Sequence, residues 1–329
     1  MIIKKLKQIK KSYTSKRSIC EAFRNDCNTY VKWQYHNPQI KSKNAMEAKI
    51  LRHTHVLEKG MSLSHPRSGF GVQRASELLD FIDEYVSEGY ESDESSAVLN
   101  ALGVLKAYID FHRQRNFQPE EIIKRLQKWE SYIPAQEEYG IKTISYDDLK
   151  IGIHGEFPDF FNSRHAIRQF AEEPITIEEI KRAVALAMRA PSACNRQSCK
   201  VYFYTDPDIN ATIGNNIPGN TGFADEIKNY LVVTSDISAF YDSFERNQVY
   251  VDGGIFVLAL AESLHYYGIG SCILQNGETK ERDHNIRAVC TNIPKNEKII
   301  VFLAIGHYKK EFTYAVSHRK NIEDVLIIK

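Results

Sequence analysis

The chain has 329 residues, 43% hydrophobic, 11% aromatic and 26% charged, proportions of one large or two modest globular domains that exclude a disordered or collagen-like chain. Its 43 Lys and Arg nearly cancel 42 Asp and Glu, so the net charge of +1 supplies no general attraction to nucleic acid, and none is expected as a partner. Apolar runs such as Ile255 to Leu260 fall far short of the ~20 residues that cross a bilayer. Lysines interrupt the N-terminal apolar residues where a secretory leader would need a continuous run.

The six cysteines (Cys20, Cys27, Cys194, Cys199, Cys272 and Cys290) form no CxxC pair and no metal-ligand spacing with the eleven histidines. Free thiols, no metal site and a cytoplasmic location are the expectation.

Residues 1–17 hold seven Lys or Arg and no acid. With Ile2, Ile3, Leu6, Ile9 and Tyr13 at helical spacing, they could form a basic amphipathic helix making weak contact with a membrane surface or another protein; a frayed, solvated segment is the plainer reading. From about 18 to 135 the apolar period is helical, as in Leu78, Leu79, Ile82 and Val86, or Leu99, Leu102, Leu105 and Ile109. Gly60, Pro66, Gly69 and Gly71 predict a long loop over 55–71 between two helices.

Beyond Gly140 the texture changes. Runs at 200–205, 229–235 and 298–306 predict strands, alternating with helices over IEEIKRAVALAMRA and over VDGGIFVLALAESLHYYG, the latter apolar enough to predict full burial. The division expected is a helical extension over 1–150 and a second domain over 151–329.

Two clusters carry chemistry. SRHAIRQF (163–170) places Arg164, His165 and Arg168 within five residues, a grouping suited to phosphate because guanidinium forks match its oxygens. It precedes a helix whose start, Thr176 with Glu179, has capping-box spacing. APSACNRQSCKVYFY (190–204) follows a helix end at Pro191 with small residues, then Asn195 and Gln197, amides able to read a heterocycle edge.

In this order, followed by VDGGIFVLALAESLHYYGIGSCILQ (251–275), VFLAIGHY (301–308) and HRKNIEDVL (318–326), these clusters resemble the nitroreductase family of FMN-dependent oxidoreductases over nearly all of 160–329. The resemblance implies an α+β fold, a nitroreductase-like sheet flanked by helices, here behind an α-helical N-terminal extension. It implies a homodimer formed through the helix at 251–267 and a flavin loop at Gly268–Gly270. It also implies FMN as cofactor, NAD(P)H as transient reductant, and ping-pong transfer to a small-molecule substrate, an unidentified organic acceptor.

By the same resemblance, Arg164 and Arg319 match positions holding the FMN phosphate, with His165 beside the ribityl and phosphate region. Arg168 matches a position at the flavin pyrimidine edge, and Asn220 is offered for the family's flavin-edge asparagine. Pro191, Ser192 and Asn195 match a loop that reaches the flavin of the other subunit, and Leu274 and Gln275 the segment passing flavin N5. Two departures stand out: Ala166 replaces a hydroxyl residue, and the 195–199 loop ends in Ser198 and Cys199 rather than Pro and Trp. Each removes at most a contact worth about 1 kcal/mol. The segment 55–71 is similar to an insert in extended family members associated with surface-polysaccharide genes. The alternative function is therefore an accessory binding or docking protein of surface-polysaccharide biosynthesis without reductase turnover.

Overall fold

The computed structural model describes residues 2–34, 37, 39–133 and 138–328, with side chains from Ser15 onward. In chain order its elements begin with α1 (Ile2–Trp33), α2 (Lys43–Met61), α3 (Val72–Ser87), α4 (Ser96–Arg113), α5 (Glu120–Leu126), β1 (Ile141–Ser145), α6 (Tyr146–Ile153) and α7 (Phe157–Ser163). There follow α8 (Ile177–Ala187), β2 (Cys199–Tyr204), α9 (Pro207–Asn216), β3 (Asn229–Asp236), α10 (Gln248–Tyr266), β4 (Ile269–Gln275), α11 (Lys280–Val289), β5 (Glu297–His307) and β6 (Glu311–Ala315). They form two compact units, Met1–Lys32 with Tyr146–Lys310, and Trp33–Ser145 with Glu311–Lys329.

The helical unit is built by the apolar period already visible in the sequence. Ile50 and Leu57 of α2, Leu78, Leu79 and Ile82 of α3, and Leu102, Leu105 and Tyr108 of α4 share one core. Ser95 caps α4 by accepting the Val98 amide. The helix α2 runs on through Gly60 to Met61, so the interruption expected over 55–71 shrinks to 62–71. Glycine is needed at position 60 for packing rather than for a turn: a Cβ there would lie 2.1 Å from the Phe70 ring.

This unit also claims the end of the chain. β6 pairs antiparallel with β1, from Ile141 opposite Ala315 to Ser145 opposite Glu311. Just beyond, the Ser317 amide and hydroxyl donate to the buried Glu58 carboxylate (3.0 and 3.2 Å), and Lys320 donates to the buried Glu47 (2.7 Å). The expected division at 150 is therefore corrected at three points. The boundary falls between Ser145 and Tyr146, residues 311–329 join the helical unit through strand pairing, and residues 1–32 join the sheet unit. There, Asp26 takes both forks of Arg246 (2.7 and 2.6 Å) and Ser18 bonds Ser243.

The sheet unit carries an antiparallel sheet in the order β2-β3-β5-β4, with a bulge at Val233/Thr234. The strands expected at 200–205, 229–235 and 298–306 are β2, β3 and β5. Leu231, Val233, Leu303 and Ile305, alternate residues on the two central strands, share a core with Ile180, Ala183 and Ala187 of α8 and with Val257, Leu260 and Leu264 of α10. The fold is the α+β arrangement expected, a sheet flanked by helices with a helical N-terminal extension.

Three expectations change. The Gly268–Gly270 segment is not a loop but the entry to β4, where Gly270 leaves room for Ile167: a Cβ at position 270 would lie 3.2 Å from that side chain. The helix α10 is buried on one side only: Tyr250, Val251, Ile255, Leu258 and Tyr266 are all 39–50% exposed. Of the basic segment 1–17, residues 2–17 lie within α1, although the side chains of residues 1–14 are outside those described. Among the described residues no helix is long and apolar enough to cross a membrane.

Removing residues 311–329 strips β1 of its partner and leaves Glu58 and Glu47 buried without the donors just named. Loss of these donors leaves part of the desolvation cost of each carboxylate uncompensated, although Glu47 keeps Ser95 and Tyr85 as donors. Amide hydrogen exchange in α2 and β1 is expected to accelerate markedly in a chain ending at Lys310, while β3 and β5 keep their protection; unchanged exchange in α2 would contradict this.

Candidate functional site

The chain leaves α7 at Ser163 and runs extended beside β4. Ile167 donates its amide to the Ser271 carbonyl (2.9 Å), and Ala166 bridges Ser271 in parallel register. Farther along, Phe170 bridges Tyr308 and the Ala171 amide bonds the His307 carbonyl. The basic cluster is thus an extended segment tied to the sheet by two isolated bridges, one at Ser271 and one at Tyr308.

Its start is anchored by α10. Ser163 Oγ lies 2.7 Å from His265 Nε2, and His265 Nδ1 lies 2.7 Å from the Tyr308 hydroxyl. With Tyr308 donating to Nδ1, the Nε2 proton goes to Ser163, whose own hydroxyl reaches the Phe160 carbonyl (2.8 Å), and every group is satisfied. Burial, reinforced by the nearby Arg164 and His165 charges, holds the His265 pKa down to about 3. One turn earlier on α10, Glu262 Oε1 accepts from Arg164 Nε at 2.8 Å. Burial raises the Glu262 pKa against the pull of Arg164, and its second oxygen is buried without a donor among the described residues.

Arg168 decides the reading of this edge. Its side chain is 4% exposed, yet Nε and Nη1 have no acceptor among the described residues. An interior guanidinium with unmet donors is expensive, and a planar group rich in carbonyl or anionic oxygens would satisfy it. Residues 162–220 match the model of the Nitroreductase family.

No curated protein matches the chain. Similar solved structures include an FMN-dependent nitroreductase of Clostridium difficile R20291, at 18% identity and TM-score 0.40 over 46% of this chain and 86% of that one. A nitroreductase family protein of Clostridium novyi NT follows at 19% identity and TM-score 0.42, over 47% of this chain and 86% of that one. A nitroreductase-like protein of Desulfovibrio desulfuricans in complex with FMN is 17% identical with TM-score 0.45, over 54% of this chain and 98% of that one.

In this nitroreductase-like unit the structure brings Arg164, His165 and Arg168 onto one edge segment beside β4, the strand that carries Leu274 and Gln275. Leu274 is buried and Gln275 exposed, at the end of β4 where they pair with Phe302 and Val301 of β5. Asn220 is near, since its neighbour Gly219 faces Leu274, but its amide is spent inside the fold: Nδ2 donates to the Gly214 carbonyl at 2.7 Å and the residue is 5% exposed. That bond ties the turn at 217–220 to the last turn of α9. Arg319 belongs to the helical unit, exposed, with Nη1 on the Ser317 carbonyl.

The 190–198 loop, with Pro191, Ser192 and Asn195, is held at another place in the same unit, against α10. It lines a cavity of about 170 Å³ with Val184, Met188, Val201, Asp252 and Phe256. Cys194, Asn195 and Gln197 all have positive φ (51°, 54° and 49°), a conformation that asparagine tolerates and that costs about 1–2 kcal/mol at Cys194 and at Gln197. The Gln197 amide bonds Ser192 Oγ (3.0 Å), and Arg196 forks onto Glu245 (2.9 and 2.7 Å), which pulls the Glu245 pKa down to about 2.

Sequence reasoning missed Asp252, Glu262 and His265. The signal was present: ionisable residues inside an otherwise apolar helix, two of them here buried, rarely lie there without a task. Among the described residues no cluster could hold a metal ion.

His265 supplies a pH test. Its folded pKa lies below the unfolded value of about 6.5, so below that pH the unfolded chain takes up a proton that the native state refuses. Stability is present above about pH 6.5 and lost as pH falls toward 3. In His265→Gln, urea midpoints measured from pH 7 to pH 4 are expected to start lower than wild type and to fall less steeply; parallel slopes would rule this out.

Proposed function

We propose that the sheet unit binds FMN and acts as an NAD(P)H-dependent oxidoreductase on a small organic acceptor, as a cytoplasmic homodimer. The observation that carries this reading is the buried Arg168 guanidinium with two unmet donors, on a segment within the family match. FMN, when bound, supplies a redox carrier that takes two electrons from a nicotinamide and gives them to the acceptor in a ping-pong cycle.

The chain's own residues then bind and tune. Arg164 and His165 hold the phosphate and ribityl region, Arg164 sharing its fork with Glu262. Arg168 faces the pyrimidine edge, where reduction places negative charge that a fixed cation stabilises. The backbone at Leu274–Gln275 passes the hydride-accepting nitrogen. Pro191, Ser192 and Asn195 reach the flavin of a second copy, and the half-exposed apolar side of α10 gives that copy its seat. A second reading, a binding or docking protein without turnover, draws on the Arg164–Glu262 pair, which already engages Nε of the guanidinium meant for phosphate.

Arg164→Ala is expected to lower FMN affinity about tenfold or more, the worth of one charged hydrogen bond, read by flavin content and titration. Arg168→Gln is expected to retain FMN with a lower midpoint potential by spectroelectrochemistry; an unchanged or higher potential removes Arg168 from the pyrimidine edge. Leu258→Glu puts a carboxylate on the apolar side of α10 and is expected to yield monomers that have also lost FMN, since a ligand bound only by the dimer stabilises it by mass action. A folded monomer with stoichiometric FMN by sedimentation and absorbance would assign the pocket to one chain. Purified wild-type protein with no affinity for FMN would favour the docking reading.

A further inference from the structure

The 190–198 loop has a conformation that its own residues do not favour. Three of its residues are left-handed, two of them, Cys194 and Gln197, of types that seldom adopt this region, and Pro191, Cys194, Asn195 and Gln197 stand exposed. Left to itself such a loop would sample many shapes. Two carboxylates outside it prevent this.

Asp252, 2% exposed on α10, receives the Ala193 amide on both oxygens (3.3 and 3.1 Å), and Gln248, one turn back on the same helix, donates to Oδ1 at 2.7 Å. Glu245 takes the Arg196 fork from the other side and is itself fixed by the Tyr241 amide (2.7 Å). Arg196 in turn donates Nε to the Ala193 carbonyl (3.0 Å) and Nη1 to the Ala239 carbonyl (3.1 Å). The Ala193 residue is therefore clasped at both ends, its N–H by Asp252 and, through Arg196, its C=O by Glu245. Ser192 and Asn195, the residues on either side of this clasp that were assigned to the flavin, are oriented by it.

We infer that Asp252 and Glu245 are positioning residues that preorganise the Ser192–Asn195 loop for the flavin of the second subunit. The inference rests on the FMN reading above. Neither carboxylate touches the ligand. Both act by removing alternative loop shapes that binding would otherwise have to suppress, which is how preorganisation raises affinity. The clasp also ties the loop to α10, the helix assigned to the dimer seat, so loop shape and subunit contact share one anchor.

The test is FMN titration of the full-length protein and of Asp252→Ala, Asp252→Asn and Glu245→Gln, followed by flavin fluorescence and by visible circular dichroism of the bound flavin. Asp252→Ala is expected to weaken FMN binding about tenfold or more, as loss of a charged acceptor implies, and to change the visible dichroism. Asp252→Asn keeps a carbonyl for the Ala193 amide and is expected to recover most of the affinity. Glu245→Gln, at a site where the carboxylate is partly open to solvent, is expected to change the dichroism in the same sense while remaining folded, and carries the test should Asp252→Ala not fold. Wild-type affinity and an unaltered dichroism in folded variants would overturn the positioning role. A wild-type protein that does not bind FMN would instead overturn the reading on which it rests.

Discussion

Three ionisable side chains on one apolar helix organise the sheet unit. Asp252 and His265 of α10 are buried and Glu262 is half-buried, on the same helix whose Phe256, Val257, Leu260 and Leu264 fill the core against β3 and β5. Each would be costly there alone. Each is matched to a different part of the candidate site: Asp252 to the 190–198 loop, Glu262 to Arg164, His265 to Ser163 and Tyr308. The helix that closes the hydrophobic core is thus also the ruler from which the site is measured.

This arrangement explains why the basic cluster is an extended segment tied to the sheet and not a loose surface turn. Backbone bonds to Ser271 and His307 fix its course, and the His265 and Glu262 contacts fix its beginning. Arg168 is the residue left over: the fold buries a guanidinium without supplying acceptors for all of it among the described residues. That unmet demand for oxygen is what a ligand on this edge would answer.

The helical unit solves a separate problem. Its two-stranded sheet takes one strand from before the sheet unit and one from after it, so 165 residues of chain are inserted between the paired strands β1 and β6. Glu58 and Glu47, both on α2, then fasten the segment that follows β6. The unit is closed by the end of the chain as much as by its helices.

The sequence alone carried whatever depends on neighbours along the chain. Apolar period marked α3, α4, α8 and α10, β-branched and aromatic runs marked β2, β3 and β5, and Thr176 with Glu179 marked a capping box that the structure contains. These are legible because helix and strand preferences act over a few residues. The order β2-β3-β5-β4, the pairing of Ala166 with Ser271, the partner of Arg164, the bond of Asn220 to the last turn of α9 and the return of β6 to β1 are contacts between distant positions. Many partners of equal chemistry are available to each such group, and no local preference ranks them. Only the packing of the whole sheet unit left Glu262 as the carboxylate beside Arg164, and two donors of Arg168 without an acceptor among the described residues.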